Sequence, residues 1–187
     1  MSRFITVAEA GEIIGQGGVV AYPTEAVYGL GCAPMNQAAV ERLLQIKQRP
    51  VDKGLILVAA SYGQLLPFVD DEALTRAQRD NILARWPGPY TWVMPARSSV
   101  PKWLTGKFGT IAVRVSAHPV VQDLCTAAGM PVVSTSANLS GQPSLTQGHD
   151  VTEQLGEHLD GVVMGLVGGN VTPSTILDAL SGNVLRS

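Results

Sequence analysis

Two cysteines, Cys32 and Cys125, in 187 residues are too few for a disulfide framework or a four-ligand zinc site. Free thiols are the expectation, as in a reducing compartment. Charged residues are scarce at 15%, and no apolar run approaches the ~20 residues that cross a bilayer. The opening MSRFITVAEAGEII lacks the long apolar stretch and small-residue cleavage site of a secretory leader. A soluble cytoplasmic protein without membrane attachment is therefore expected. Nucleotide-site signatures are missing too: there is no Walker A run, and Gly29-Leu30-Gly31 lacks the third glycine of a dinucleotide fingerprint. No serine sits in a G-x-S-x-G elbow. His118, His149 and His158 have no metal-ligand spacing with one another or with the cysteines. Acids vanish between Asp80 and Asp123, where Arg85, Arg97, Lys102, Lys107 and Arg114 stand alone.

What is present is a foldable chain. Hydrophobic residues make up 45%, which excludes a disordered, solvating sequence. The length suits about one domain, read here as a single unit over 1–187 without repeat or linker. The net charge of −2 hides an asymmetry. Residues 42–122 carry a net +6 and residues 123–187 a net −5, with Arg186 the only base after Arg114. Such a division can focus a positive field on one face and attract phosphates, or it can be scattered solvated charge.

Helix and strand patterns alternate. Thr6 and Glu9 form a capping box before Ala10, Ile13 and Ile14, and Gly17-Gly18 closes that helix. Val19–Tyr22 reads as a buried strand. Asn36 caps a helix with apolar face Ala39, Val40, Leu43 and Leu44, ending before Pro50. Further strands are expected at Leu55–Ala59, Tyr90–Met94, Thr110–Val115, Val132–Thr135, Val162–Met164, Thr175–Asp178 and Val184–Arg186. Helices are expected from about Asp71 to Trp86, from His118-Pro119 through Leu124 to Ala128 with Gly129 as its stop, and after a second capping box at Asp150 and Glu153. Residues 142–149 read as a mobile polar loop. The fold class is α/β, an open mixed sheet with parallel crossovers through helices.

Four polar segments stand at strand ends, where open α/β sheets place ligands. The first, Tyr22 to Gly31, contains PTEAVYGLG, and by itself reads as a turn with two glycines. The second, Lys47-Gln48-Arg49-Pro50-Val51-Asp52-Lys53-Gly54, holds three cations where a helix ends. They suit the helix dipole, yet Lys47 and Arg49 can also reach one anion in front of the sheet. The third, Ser134 to Gly141, is dense in hydroxyls and amides that can donate to phosphate or ribose, as small polar turns also do. The fourth is Pro173-Ser174-Thr175-Ile176. Arg114, inside a strand pattern, requires an anionic partner.

Together PTEAVYGLG, KQRPVDKGL, RWPGPYT, TIAVRV, STSANLSG and PSTI occur in an order and spacing that resemble the YrdC-like family of threonylcarbamoyl-AMP synthases, from Gly18 to Arg186. The resemblance implies a twisted open sheet with a concave positive face. It implies a reaction joining L-threonine, bicarbonate or CO2, and ATP into threonylcarbamoyl-adenylate and pyrophosphate. The product would feed modification of tRNAs that read codons starting with A, through a transferase complex. By motif match, Thr24, Arg114, Ser134 and Ser174 fall at threonine-contacting positions. Lys47, Arg49, Thr110, Ser136, Asn138, Ser144 and Arg186 fall at nucleotide positions, with Lys47 and Arg49 expected to act in catalysis. Both chemical steps gather anions, so cations and donors are needed rather than a protein nucleophile. Mg2+ would ride on the ATP phosphates, since no carboxylate cluster offers a cage. Glu25 is the only acid of the first motif and has no assigned role at this stage. The alternatives are a tRNA or double-stranded-RNA-binding module without catalysis, a carbamoyltransferase like the related domain of hydrogenase-maturation proteins, and a ribosome-assembly factor. Intact KQR and STSAN motifs argue against the first, and the missing acylphosphatase and zinc-finger regions against the second. The third leaves the four strand-end segments unexplained.

Overall fold

The computed structural model describes residues 3–169 and 173–186. Its first half runs β1 (Phe4–Ile5), α1 (Val7–Gly15), β2 (Val20–Pro23), β3 (Tyr28–Gly31), α2 (Gln37–Lys47), β4 (Ile56–Ala59), α3 (Tyr62–Leu65) and α4 (Arg76–Leu83). The second half runs β5 (Tyr90–Pro95), α5 (Lys102–Thr105), β6 (Thr110–Val115), α6 (Pro119–Ala128), β7 (Val132–Ser136), α7 (Gly148–Leu155), β8 (Gly161–Val163), β9 (Thr175–Asp178) and β10 (Val184–Arg186). The strands form one mixed sheet ordered β1-β8-β2-β3-β7-β4-β6-β5-β9-β10. None of the described helices is long and apolar enough to cross a membrane.

The helix signals act as local chemistry dictates. Glu9 N donates to Thr6 Oγ1 and Thr6 N to Glu9 Oε1, both at 3.1 Å, so the capping box at α1 is complete. Asn36 Oδ1 accepts from Ala39 N at the start of α2, whose Ala39, Val40, Leu43 and Leu44 are buried as their spacing requires. Each fully buried aliphatic side chain there contributes about 2 kcal/mol of transfer free energy. Gly129, at φ 70°, closes α6 in the left-handed region open to glycine.

Four expectations are corrected. The parallel-crossover pattern accounts only for β1–β8, β8–β2, β4–β6 and β5–β9; the other neighbouring pairs are antiparallel. The motif PTEAVYGLG is not merely a turn: residues 24–27 join β2 to an antiparallel β3 with Pro23 opposite Tyr28. Gly31 lets β3 lie close to β7 and to the Tyr22 ring, because a Cβ there would lie 2.6 Å from the Val133 carbonyl. The helix expected from Asp71 begins at Arg76, where Thr75 and Gln78 form their own capping box. Asp71 instead accepts from the Tyr62 hydroxyl and from Arg79 Nε. The second capping box does not form: α7 starts at Gly148 with Gln147 as its uncapped N-cap, which moves Asp150 into the first turn. Within the 142–149 segment, Leu145 N donates to Ala137 O and Leu145 O accepts from Tyr28 N.

Side-chain alternation places the site. Ile5, Ala10 and Ile14 pack with Val58 of β4, Val132 of β7, and Val121 and Leu124 of α6 in one core. Leu57, Val113, Val133, Trp92 and Leu43 pack in the core on the opposite face. Farther along β4 and β7, residues of the same parity as Val58 and Val132 have no helix over them. Ile56, Ser134 and Ser136 line a cavity there, with Thr110, Ala112 and Arg114 of β6.

Candidate active site

The cavity measures about 540 Å3, within the range of small-ligand sites. Its walls bring together Thr24, Arg49, Thr110, Arg114, Ser134, Ser136, Ser144, Ser174 and Arg186 from three separate strands and four loops. Lys47 and Asn138 are not among its lining residues. Among the described residues its charged lining is Arg49, Lys53, Arg114 and Arg186 against one carboxylate, Glu25.

At one end, Arg114 on β6 and Glu25 in the β2–β3 turn are both more than nine-tenths buried. Their closest approach, Nη2 to Oε1, is 3.7 Å, too long for a direct hydrogen bond. Ser116 Oγ donates to Glu25 Oε1 at 3.0 Å. Among the described residues, Glu25 Oε2 and Arg114 Nε have no partner. The strand arginine has thus found a carboxylate, but the pair satisfies neither group. Nearby, Thr24 Oγ1 donates to Val27 O at 2.6 Å, and Ser174 Oγ shares a buried 2.8 Å hydrogen bond with Thr91 Oγ1.

The turn carrying Thr24 and Glu25 is pinned from outside. Gly168 N donates to Thr24 O at 2.9 Å, and a Cβ at Gly168 would lie 2.6 Å from Glu25 O, so only glycine fits that approach. The Tyr28 hydroxyl donates to Gly165 O and accepts from Gly165 N. His118 Nδ1 accepts from Val120 N, which leaves the proton on Nε2 to be donated to Leu166 O at 2.9 Å. Sequence reasoning missed these supports; the glycine-dense MGLVGG run was their one visible sign.

The other end is cationic. Burial, and then the Arg49 charge, push the Lys47 ammonium down to about 8. Lys47 Nζ donates to Ser136 O at 2.8 Å, to Asn138 O at 3.2 Å and to Asn138 Oδ1. Lys47, expected at the triphosphate, thus points its ammonium at the 136–138 segment, beside the cavity rather than in its lining. Arg49 faces the cavity, anchored through Nη2 to Gly54 O at 3.0 Å, and its pKa is lowered by burial. Arg186 donates to Ser174 O at 2.9 Å; burial, and then the charge of Arg114, lower its pKa. Lys53, third cation of the segment after α2, also lines the cavity, as does the half-exposed Phe108, which was not anticipated. Among the described residues no group of three His, Cys, Asp or Glu side chains is disposed to hold a metal.

The Sua5/YciO/YrdC family model, described as telomere recombination, matches residues 12–187. The chain belongs to this family. A threonylcarbamoyl-AMP synthase of Vibrio cholerae serotype O1 is 56% identical over 186 residues, covering 100% of this chain and 99% of that one. Among solved structures, Escherichia coli YciO superposes with TM-score 0.86 at 28% identity, covering 100% of this chain and 96% of that chain. Sua5 of P. abyssi in complex with L-threonine superposes with TM-score 0.85 at 35% identity. That match covers 92% of this chain but 50% of that one, so this chain spans about half of the Sua5 polypeptide.

Proposed function

We propose that this protein is a threonylcarbamoyl-AMP synthase: it joins L-threonine, bicarbonate or CO2, and ATP into threonylcarbamoyl-adenylate, releasing pyrophosphate. The observation that supports this most is the division of one cavity into two chemistries. Arg114, Thr24, Ser134 and Ser174 offer an amino acid a guanidinium and three hydroxyls. Arg49, Lys53 and Arg186, with Thr110, Ser136 and Ser144, offer a polyphosphate cations and donors. The threonine amine attacks the one-carbon unit, and the resulting carbamate oxygen displaces pyrophosphate from the α-phosphorus. Each step crowds negative charge, and fixed cations stabilise it without a covalent protein intermediate.

Mg2+ fits as cargo of the nucleotide, because the cavity offers one carboxylate, already bonded to Ser116, and no oxygen cage. When bound it would neutralise phosphate charge. We further read residues 1–187 as one YrdC-like unit, placed in the cytoplasm, whose adenylate passes to a tRNA-modifying transferase complex. The test is pyrophosphate release by the purified protein. Release requiring both threonine and bicarbonate is expected; a folded, ATP-binding sample that releases none under any combination defeats the reading.

Arg186 supplies a smaller test. Its side chain packs on Ser174 O at the cavity rim rather than in the core. Arg186→Ala should weaken ATP binding by about tenfold, equivalent to ~1.4 kcal/mol. The thermal midpoint should barely move. Wild-type ATP affinity by calorimetry would make Arg186 an ordinary strand residue.

A further inference from the structure

We infer that Glu25 is a catalytic residue: its free Oε2 holds the ammonium of bound threonine and removes one proton from it. The inference rests on the synthase reading and assigns a role within that site. A carboxylate more than nine-tenths buried, lining a cavity and lacking a partner on one oxygen, is costly to keep. Among the described residues the cation paired with it is Arg114, which stands 3.7 Å away with its own Nε unpartnered. The two charges are therefore close enough to stabilise one another and too far apart to satisfy one another. Ser116, whose Oγ also accepts from His118 N, fixes Oε1 and leaves Oε2 as the open oxygen.

A zwitterion is the complement of such a pair. An α-amino acid carries carboxylate and ammonium on the same carbon, so its carboxylate can take Arg114 while its ammonium donates to Glu25. Bound this way, it supplies both missing partners at once. The geometry also serves the chemistry, because an ammonium has no lone pair and cannot attack carbon. Transfer of one proton from the ammonium to Glu25 Oε2 leaves a neutral amine and a carboxylic acid. The amine lone pair forms the N–C bond to bicarbonate, the C–OH bond breaks, and the departing hydroxide takes a second proton from nitrogen and leaves as water. The product is the carbamate anion, and Glu25 returns its proton to solvent through the cavity mouth.

The test compares L-threonine with 3-hydroxybutanoate, which keeps the carboxylate and hydroxyl but lacks the amine. Wild-type protein should bind threonine far more tightly than this analogue. In Glu25→Gln, threonine affinity should fall about tenfold or more while the analogue binds as well as before or better, so the ratio collapses. The rate of pyrophosphate release at saturating threonine should fall as well, and Glu25→Asp should restore part of both. Thermal midpoint and ATP affinity report folding, and Glu25→Asp carries the same comparison if Glu25→Gln does not fold. An unchanged threonine-to-analogue ratio, or equal loss for both ligands, overturns the inference while an active wild-type enzyme leaves the synthase reading standing. A wild-type protein that never releases pyrophosphate fails the synthase reading itself, and this inference with it.

Discussion

Arg114→Lys is expected to weaken threonine use by about 1.5–3 kcal/mol, roughly ten- to a hundredfold in kcat/KM for threonine, with ATP affinity nearly unchanged. The substitution keeps the positive charge that faces Glu25 but loses the planar fork. A lysine ammonium is a point charge on a flexible stem and cannot present two parallel N–H groups to a carboxylate. Because Arg114 on β6 pairs with Glu25 and lines the same cavity as Thr24, Ser134 and Ser174, the loss should fall on the amino acid. Steady-state kinetics with each substrate varied in turn checks this. Equal losses for ATP and threonine would assign Arg114 to the phosphates, and a matching drop in thermal midpoint would assign it to the fold.

How far the sequence carries one toward such a site depends on the range of the interaction. Some contacts within one helical turn were legible: the Thr6–Glu9 box, the Asn36 cap and the Gly129 stop depend on residues a few positions apart, whereas the Thr75–Gln78 box was missed and the one expected at Asp150 and Glu153 does not form. Strands with strong β-branched patterns, β6 and β9, lie where the pattern placed them. The β3 strand was obscured because two of its four residues are glycines, kept small for Val133 and Tyr22 rather than for a turn. The cavity's membership was legible only through motif order, which named nine of its lining residues. Its internal wiring was not: Glu25 meets Ser116, and Lys47 meets Asn138, across 91 positions. No periodicity or spacing rule reports such pairs. Sequence could assign Lys47 a charge and a neighbourhood, but only the fold shows that charge directed at the 136–138 carbonyls.

That direction sets the second large effect. Lys47→Met should cut pyrophosphate release by about a hundredfold, the scale of losing one preorganised donor. The cause would be indirect: without Nζ, the carbonyls of Ser136 and Asn138 and the Asn138 amide lose their common donor. The Ser136 hydroxyl that bonds Asn138 Oδ1 is then no longer fixed against the substrate. Stability supplies an independent signature through pH. The Lys47 ammonium is held near 8 in the folded chain against an ordinary 10.5, because burial and then Arg49 disfavour its charge. Between those two values the unfolded chain retains a proton that the folded chain has released. By linkage, this group makes wild-type stability rise with pH through that window. Below pH 8 both states are protonated, so the penalty is present in full. Cys32 and Cys125, pushed up to about 12 by burial, act in the opposite sense, but equally in both proteins. Urea unfolding at pH 7.5 and at pH 10 should therefore show wild type gaining stability relative to Lys47→Met as pH rises. A difference between the two that stays constant would mean that Lys47 is hydrated and ordinary, and that its hold on the Ser136–Asn138 loop does not govern the site.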